Sequence, residues 1–414
     1  MAHSLRPRPR RRSATSASIL TRSTPSPSDT ERPTDESGLV GLAAVFARLG
    51  LTSFGGPAAH VALMRDEFVR RRAWLDDATF LGLLGAANLI PGPTSTELAM
   101  HIGHRRAGRA GLVVAGLAFL LPAVLIVAAL AWLYVGFGQL PQIEALLVGI
   151  APVVVAVIAH AGWSIARTAV RTPWHGVLLI AAIAAVLGGF PEIAVLLSAG
   201  LIGLIAGGVA RPGTTGGIAL SLAWPAAWAS APVAAPAGVA STPAIFLAFL
   251  KIGAVLFGSG YVLVALLRSE LVDGLGWLTE RQLLDAVAVG QATPGPLFST
   301  ATFIGYVVGG PAGAVVATVG VFLPAFLAVG LSIPILDRLR GSLSARAFLE
   351  GVNVAAVGLI AVVAGQLAVT ALGDALSLLE AVVALALLAR GVGSGWLVLA
   401  GALVGLIRLA WIPP

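Results

Sequence analysis

Cysteine is absent from this chain of 414 residues, and charged side chains are scarce, at 11%. The absence of cysteine excludes disulfides, thiolate nucleophiles and cysteine-based metal sites. Soluble domains carry about 25% charged residues, so this composition argues against a soluble globular enzyme. Disorder and collagen are also excluded, because 57% of the residues are hydrophobic and the 50 glycines follow no three-residue period.

What the sequence does contain is a series of uncharged apolar runs of about 20 residues, which is the length of a membrane-spanning helix. The runs do not alternate apolar and polar residues, which favours helices over barrel strands. We therefore predict an all-α polytopic membrane protein with about 10–13 membrane segments in the lipid bilayer of the cytoplasmic (inner) membrane.

Two stretches lie outside the apolar runs. Residues 1–38 are rich in Ser, Thr, Pro and Arg and are predicted to form a disordered, basic cytoplasmic tail, since no apolar signal-peptide region follows the arginines. Residues 211–242 form an Ala/Pro-rich linker, for which the sequence leaves a membrane crossing open. The net charge of +7 falls in the tail and in short loops, as in membrane proteins, so no nucleic-acid partner is predicted.

The remaining chain consists of two copies of one unit. A shift of 203 residues places Phe46 on Phe249, Glu67 on Glu270 and the Pro-Gly-Pro of 91–93 on that of 294–296. Between residues 46 and 93, 16 of 48 ungapped positions are identical, including Arg, Glu and Trp matches that apolar composition does not produce. We predict repeats at 39–210 and 243–414.

Arginine clusters in short loops mark the cytoplasmic side of a membrane protein. In the first repeat they lie at 65–72 and 105–109, whereas the loop at 135–142 has no Lys or Arg. In the second repeat the counterpart of 105–109 has no Lys or Arg. The counterpart of 135–142, in contrast, carries Arg338, Arg340 and Arg346. This antiphase predicts two repeats in inverted topology.

Each repeat has two apolar segments that Gly and Pro interrupt, at 54–57 and 91–93 and at the matching 257–260 and 294–296. Unwound backbone at membrane depth is tolerated only where it is buried in protein or lines a cavity. Paired breaks in an inverted repeat therefore indicate a transport site. The breaks form either re-entrant hairpins or discontinuous spanning helices, and hairpins are favoured because they place the arginine clusters on one side.

The helices that begin after the breaks present free backbone N–H groups, which suit an anion. Nearby hydroxyls and amides can donate hydrogen bonds to a tetrahedral oxyanion, although capping of the helices is an alternative role for the hydroxyls. The predicted substrate-binding residues are Gly55, Gly56, Pro57, Asn88, Pro91, Gly92, Pro93, Thr94 and Ser95 in the first repeat, and Gly258, Ser259, Gly260, Gln291, Pro294, Gly295, Pro296 and Ser299 in the second.

Ionisable residues inside apolar segments are few, and such residues are functional by default. Arg48 and Lys251 match across the repeat and could neutralise an anion or snorkel to the interface. Glu97 is a candidate proton carrier. No cluster has metal-ligand spacing and no nucleophile has a base placed to serve it, so we predict no metal, no cofactor and no enzyme. The charged candidates are Arg48, His60, Arg65, Glu67, Glu97, Lys251, Arg268 and Glu270; for Glu67, pairing with Arg71 on a solvated face is the alternative.

The motifs at 53–60, 88–94 and 290–296 resemble signatures of the chromate ion transporter family, as do those at 258–262, 277–279 and 303–306. The resemblance covers the chain from about residue 39 onward and matches the two-domain, long-chain form of that family. It implies chromate efflux coupled to the proton gradient, chromate resistance, and competition by sulfate, an isosteric oxyanion. In the second repeat Gly258, Ser259 and Gly260 replace Gly-Gly-Pro, so the two half-sites are not expected to be equivalent.

From these features we predict a secondary active transporter that exports chromate. The alternatives are a transporter of sulfate or another anion, and a flippase of an anionic lipid. The chain has no Gly-x-x-x-x-Gly-Lys-Ser/Thr motif, so ATP-driven transport would need another chain. The sequence leaves open whether the protein forms a homodimer.

Overall fold

The computed structural model describes residues 38–54, 56–138, 140–206, 240–257, 260–335 and 342–411. The predicted tail up to residue 37, most of the linker, and Gly55, Gly258 and Ser259 lie outside these described residues. Within them the chain is helical and has no strand. The first repeat contains α1 (Leu39–Thr52), α2 (Pro57–Arg65), α3 (Asp77–Ala87), α4 (Thr94–Phe137), α5 (Pro141–Ala169), α6 (Pro173–Leu187) and α7 (Glu192–Ala206).

The second repeat has the same order of elements. A π-helical turn extends α2 (Asp66–Arg71), and another extends its counterpart (Arg268–Gly274); short 3-10 turns precede and follow the counterpart of α4 (Leu297–Ser299 and Ile333–Ile335). The helices are α8 (Thr242–Val255), α9 (Val262–Leu267), α10 (Glu280–Ala292), α11 (Thr300–Ser332), α12 (Leu343–Ala371), α13 (Ala375–Ala389) and α14 (Ser394–Trp411). The predicted all-α architecture of two repeats is therefore confirmed.

The long helices α4 and α11 are each two arms joined by a sharp turn. The turns lie at matching glycines, Gly108 with φ of 59° and Gly310 with φ of 63°. A Cβ atom on Gly103 would lie 2.3 Å from the carbonyl oxygen of Gly111, so the two arms of α4 pack against each other in antiparallel directions. The first arm of α4 thus returns from the second break to the surface, and only the second arm is long enough to cross a bilayer.

Ring contacts show that the broken segments are re-entrant hairpins. The rings of Phe46 and Phe68 lie 5.1 Å apart, on opposite sides of the first break, and the Arg106 guanidinium lies 4.9 Å from the Trp74 ring, across the second. A continuous span would separate each pair by about 30 Å or more, at 1.5 Å per residue. The segments 65–72 and 105–109 therefore lie at one end of the helix bundle, which we call the arginine end.

The hairpins of the second repeat reach the opposite end. Arg281, in the second-repeat hairpin, pairs at 3.2 Å with Glu144 at the start of α5, and Ser269 hydrogen-bonds Glu192 at the start of α7. The start of α5 is about 40 Å from its end by helix geometry, and its end lies at the arginine end. The predicted inverted topology is therefore present in the structure.

Five helices in the described part of the chain are long and apolar enough to cross a membrane. The outer surface of the helix bundle exposes large apolar side chains, such as Trp163 (66% exposed), Ile180 (68%) and Leu331 (74%), which a bilayer rather than water would cover. The molecule is a multi-pass membrane protein. The five helices are Thr94–Phe137, Pro141–Ala169, Leu297–Ser332, Leu343–Ala371 and Ser394–Trp411.

Candidate functional site

The breaks of the two repeats meet at the centre of the molecule through a reciprocal pair of hydrogen bonds. The Gly92 N–H donates to the Leu256 carbonyl at 2.7 Å, and the Gly295 N–H donates to the Ser53 carbonyl at 2.8 Å. The four residues are two pairs of repeat equivalents. Each Pro-Gly-Pro break is thus tied to the first break of the other repeat, so the fold brings together the motifs that the sequence singled out.

Glycine is required at the middle of each Pro-Gly-Pro motif. Gly92 has φ of 140° and Gly295 has φ of 98°, a region that other residues rarely adopt. A Cβ atom on Gly92 would lie 2.5 Å from a carboxylate oxygen of Glu97, and one on Gly295 would lie 2.6 Å from Cβ of Ala123. The motif therefore allows a close approach of backbone that any side chain would prevent.

Polar groups around the breaks are buried with few partners. His60 is 1% exposed, and its Nδ1 lies 3.2 Å from Ser95 Oγ. Glu97 is fully buried between the second break and α11. Buried polar groups almost always have a hydrogen-bond partner, and exceptions call for a ligand, a water or a proton. Within the described residues, the buried atoms without one include Ser53 Oγ, His60 Nε2, Thr96 Oγ1, both Glu97 oxygens, Gln291 Nε2, Ser299 Oγ and Thr300 Oγ1.

A cavity of about 590 Å³, which we call the inner cavity, leads from the arginine end to the breaks of the first repeat. It reaches Pro57, Asn88 and Thr94, whose hydroxyl donates to the Asn88 side-chain oxygen at 3.3 Å. Towards the arginine end it is lined by Val61, Leu84, Ile165, Thr168, Ala169, Arg171, His175, Glu350 and Asn353. The inner cavity thus connects one end of the bundle to half of the predicted site.

The matching residues of the second repeat are enclosed. Gln291 is 8% exposed and Ser299 is 1% exposed, and Gly260 is buried as well. The Tyr261 hydroxyl hydrogen-bonds the Gln291 side chain. The two halves of the predicted site therefore differ in this structure, with one facing the inner cavity and the other closed.

Among the charged candidates, His60 and Glu97 lie at the breaks and the others do not. Lys251 pairs with Glu270 at 2.6 Å, which satisfies its charge. Arg48 is exposed on α1. The rest form ion pairs towards the ends of the bundle: Arg65 with Asp77 at 2.8 Å, Glu67 with Arg72 at 2.7 Å, and Arg268 with Asp273 at 2.6 Å and with Glu280. In this structure the charges of these residues, apart from exposed Arg48, are therefore neutralised by ion pairs within the protein rather than by a bound anion.

Sequence reasoning did not select several residues that line the inner cavity. Glu350 and Asn353 lie in the N-terminal half of α12 of the second repeat, and His175 lies in the first turn of α6 of the first. They meet only because the inverted repeats place the start of α12 beside the end of α5, and the sequence carries no local signal for that contact. Ser53 begins the motif at 53–60, and its hydroxyl is buried without a hydrogen-bond partner in the described residues.

Comparison with known proteins identifies the family of the chain. The family model described as chromate transporter matches residues 40–204 and 243–406. A chromate transport protein of Pseudomonas aeruginosa is 37% identical over 77% of this chain and 78% of its own, and one of Cupriavidus metallidurans is 34% identical over 88% and 92%. A relative from Methanocaldococcus jannaschii, 30% identical over 77% and 81%, is described as an uncharacterized transporter. No solved structure matches the chain. Its two matched halves and these full-length relatives show that the chain belongs to the chromate transporter family.

Proposed function

We propose that the protein is a secondary active transporter that exports chromate from the cytoplasm in exchange for protons. The observation that carries the proposal is the inner cavity, which joins the arginine end to the breaks of the first repeat. Arginine-rich segments favour the cytoplasmic side, so the described conformation is open to the cytoplasm. In an inverted repeat, rocking of the halves would then open the path to the other side.

The anion is held mainly by dipoles. Pro57 and Thr94 begin helices at the breaks, and the first N–H groups of a helix carry partial positive charge. Asn88 and Thr94 line the cavity. Gln291 and Ser299 do not line it in this conformation, and they would approach from the second repeat once the site closes around the ion. Arg171 lines the cavity towards the arginine end and attracts the dianion.

Glu97 is the residue that we assign to proton binding. It adjoins the Pro-Gly-Pro break, and neither of its oxygens has a hydrogen-bond partner within the described residues. An unpaired charge is costly to bury, whereas a neutral carboxylic acid is not. A proton on Glu97 and a dianion at the adjacent break would influence each other directly, which is the requirement for coupling.

Chromate retention in cells tests the proposal. Cells that express the chain should retain less chromate than cells with an empty vector, and excess intracellular sulfate should reduce the difference, because the two ions have the same shape and charge. Equal retention in both strains would contradict export. Export of labelled sulfate that chromate does not inhibit would replace chromate by sulfate as the substrate.

A further inference from the structure

A second cavity, of about 210 Å³, lies at the opposite end of the bundle. Ala151 and Thr370 line it, and their equivalents at an offset of 202 residues, Asn353 and Thr168, line the inner cavity. The two spaces are therefore equivalent positions of one inverted repeat. We call the second one the outer cavity; its lining also includes Arg281, Leu284, Asp285, Asp374, Ser377 and Arg408.

The two cavities differ in depth. The inner cavity reaches Pro57 of the first break and Asn88 and Thr94 beside the second, whereas the described lining of the outer cavity contains no residue of a break or beside one. The volume of the outer cavity, about 210 Å³, is also less than half of the 590 Å³ of the inner one. Among the residues that the structure describes, the inner cavity thus connects the centre of the molecule to the arginine end, and the outer cavity does not reach the centre.

Two polar contacts join the repeats beside the outer cavity. The Tyr134 hydroxyl of α4 donates to Asp285 Oδ2 of α10 at 2.9 Å, and Arg281 of α10 donates to Glu144 of α5 at 3.2 Å. Asp285 is 5% exposed, and the Tyr134 ring packs 5.0 Å from the ring of Phe303. Because α10 leads directly into the second Pro-Gly-Pro break, contacts that fix α10 also fix that half of the site.

We propose that the outer cavity is the closed external vestibule of the transport pathway, and that the Tyr134–Asp285 hydrogen bond is the gate that holds it closed. The proposal rests on the proposed transport function, since a gate requires a pathway. Hydrogen bonds to a charged acceptor are stronger than neutral ones, which suits a single contact that holds two repeats together. In alternating access, each inverted repeat takes up the conformation that the other had before. The outer cavity is therefore expected to open as the inner one closes.

The charges around Asp285 are balanced in the closed form. Arg281 pairs with Glu144, and across the cavity Arg408 pairs with Asp374. A hydrogen bond from the Ser377 backbone N–H, together with Arg408, lowers the pKa of Asp374 to about 2, so that this carboxylate is ionised. Opening that separates Arg281 from Glu144 would leave a free guanidinium in the vestibule, a group that binds oxyanions well.

Cysteine labelling of the full chain in membranes tests the gate, because the native sequence has no cysteine. Asn353→Cys reports on the inner cavity and Ala151→Cys on its equivalent position in the outer cavity. A membrane-impermeant thiol reagent is applied to each face in turn. Tyr134→Phe removes the gate hydroxyl and keeps the ring that packs on Phe303, and Asp285→Asn is a second variant of unchanged shape.

In the unmodified background, Asn353→Cys should react from the cytoplasmic face and Ala151→Cys should react slowly from the external face. Tyr134→Phe should raise the rate at Ala151→Cys about tenfold and lower the rate at Asn353→Cys, as expected for loss of one hydrogen bond to a charged group. Asp285→Asn keeps an oxygen that accepts from Tyr134 but removes its charge, so it should shift both rates in the same directions by a smaller factor. Unchanged rates at both positions in both variants would overturn the gate, as would labelling of Ala151→Cys from the cytoplasmic face. Labelling does not involve chromate. If the gate variants change the labelling rates as expected but the protein does not export chromate, only the assignment of chromate as the substrate is refuted.

Discussion

At the residue scale, the centre of the molecule holds more buried hydrogen-bonding groups than partners for them. Gln291 Nε2 and Ser299 Oγ have no hydrogen-bond partner within the described residues, and the two residues flank the Pro-Gly-Pro motif of the second repeat. Leaving such groups unpaired costs about 1–3 kcal/mol each. An oxyanion that accepts hydrogen bonds from both groups in the closed site recovers this free energy. The affinity for the anion therefore depends on closing of the site.

A negative charge at position 291 should therefore weaken the binding of chromate. Gln291→Glu keeps the shape and an oxygen for Tyr261, but places a negative charge beside the dianion, so the KM for chromate should rise at least about tenfold. Gln282→Glu on the same helix is the matched control, because Glu also completes the capping box with Thr279. Transport kinetics in vesicles measure both; equal KM values would remove Gln291 from the site.

Glu97→Gln should uncouple transport from protons. The amide fills the same space and cannot exchange a proton, so chromate should still equilibrate while an imposed pH gradient no longer drives accumulation. Asp77→Asn is the control, since Asp77 forms only an exposed, solvent-screened pair with Arg65. Gradient-driven accumulation that survives in Glu97→Gln would assign the proton to another residue.

Gly92→Ala should destabilise the protein. It forces a side chain into the space of the Glu97 carboxylate at a φ of 140°, which should lower the free energy of unfolding by about 1–3 kcal/mol. Gly85→Ala, in α3, meets no atom within 4 Å and should be neutral or stabilising. Thermal unfolding in detergent compares them, and equal melting temperatures would count against the strained geometry at Gly92.

At the scale of elements, the re-entrant hairpins explain why half-length helices exist in this fold. Each ends at a break whose backbone groups bond across to the other repeat, as Gly92 does to Leu256. The apolar faces of the hairpins pack in clusters such as that of Leu42, Phe46, Phe68 and Phe80. Unwound backbone is thereby covered by protein, as a membrane interior requires.

Hairpins at opposite ends predict a specific labelling pattern. Arg70→Cys and Arg109→Cys should both react with an impermeant thiol reagent from the cytoplasmic face, and Asp273→Cys should react from the external face. Discontinuous spanning helices would instead place the first two positions on different sides. Labelling of right-side-out and everted vesicles distinguishes these outcomes.

At the scale of the whole molecule, the two inverted repeats could be predicted from the sequence because the motifs that indicate them are short and occur in both halves. Trp74 and Trp277, and the two Pro-Gly-Pro motifs, keep one register, and arginines report sidedness loop by loop. The arginine clusters favoured re-entrant hairpins over spanning helices, but the sequence alone left both open, since the choice depends on contacts such as that of Phe46 with Phe68. That the second half-site is enclosed while the first faces a cavity is a property of the conformation, which near-identical motifs cannot encode.

Chromate accumulation in everted membrane vesicles tests the central claim most directly. Vesicles that contain the protein and have an acidic interior should accumulate labelled chromate, because protons leaving the vesicle drive chromate in. Vesicles with the Pro93→Ala, Pro296→Ala variant should not accumulate it. Collapse of the pH gradient should abolish the difference. Accumulation no higher than in the double variant would contradict the account.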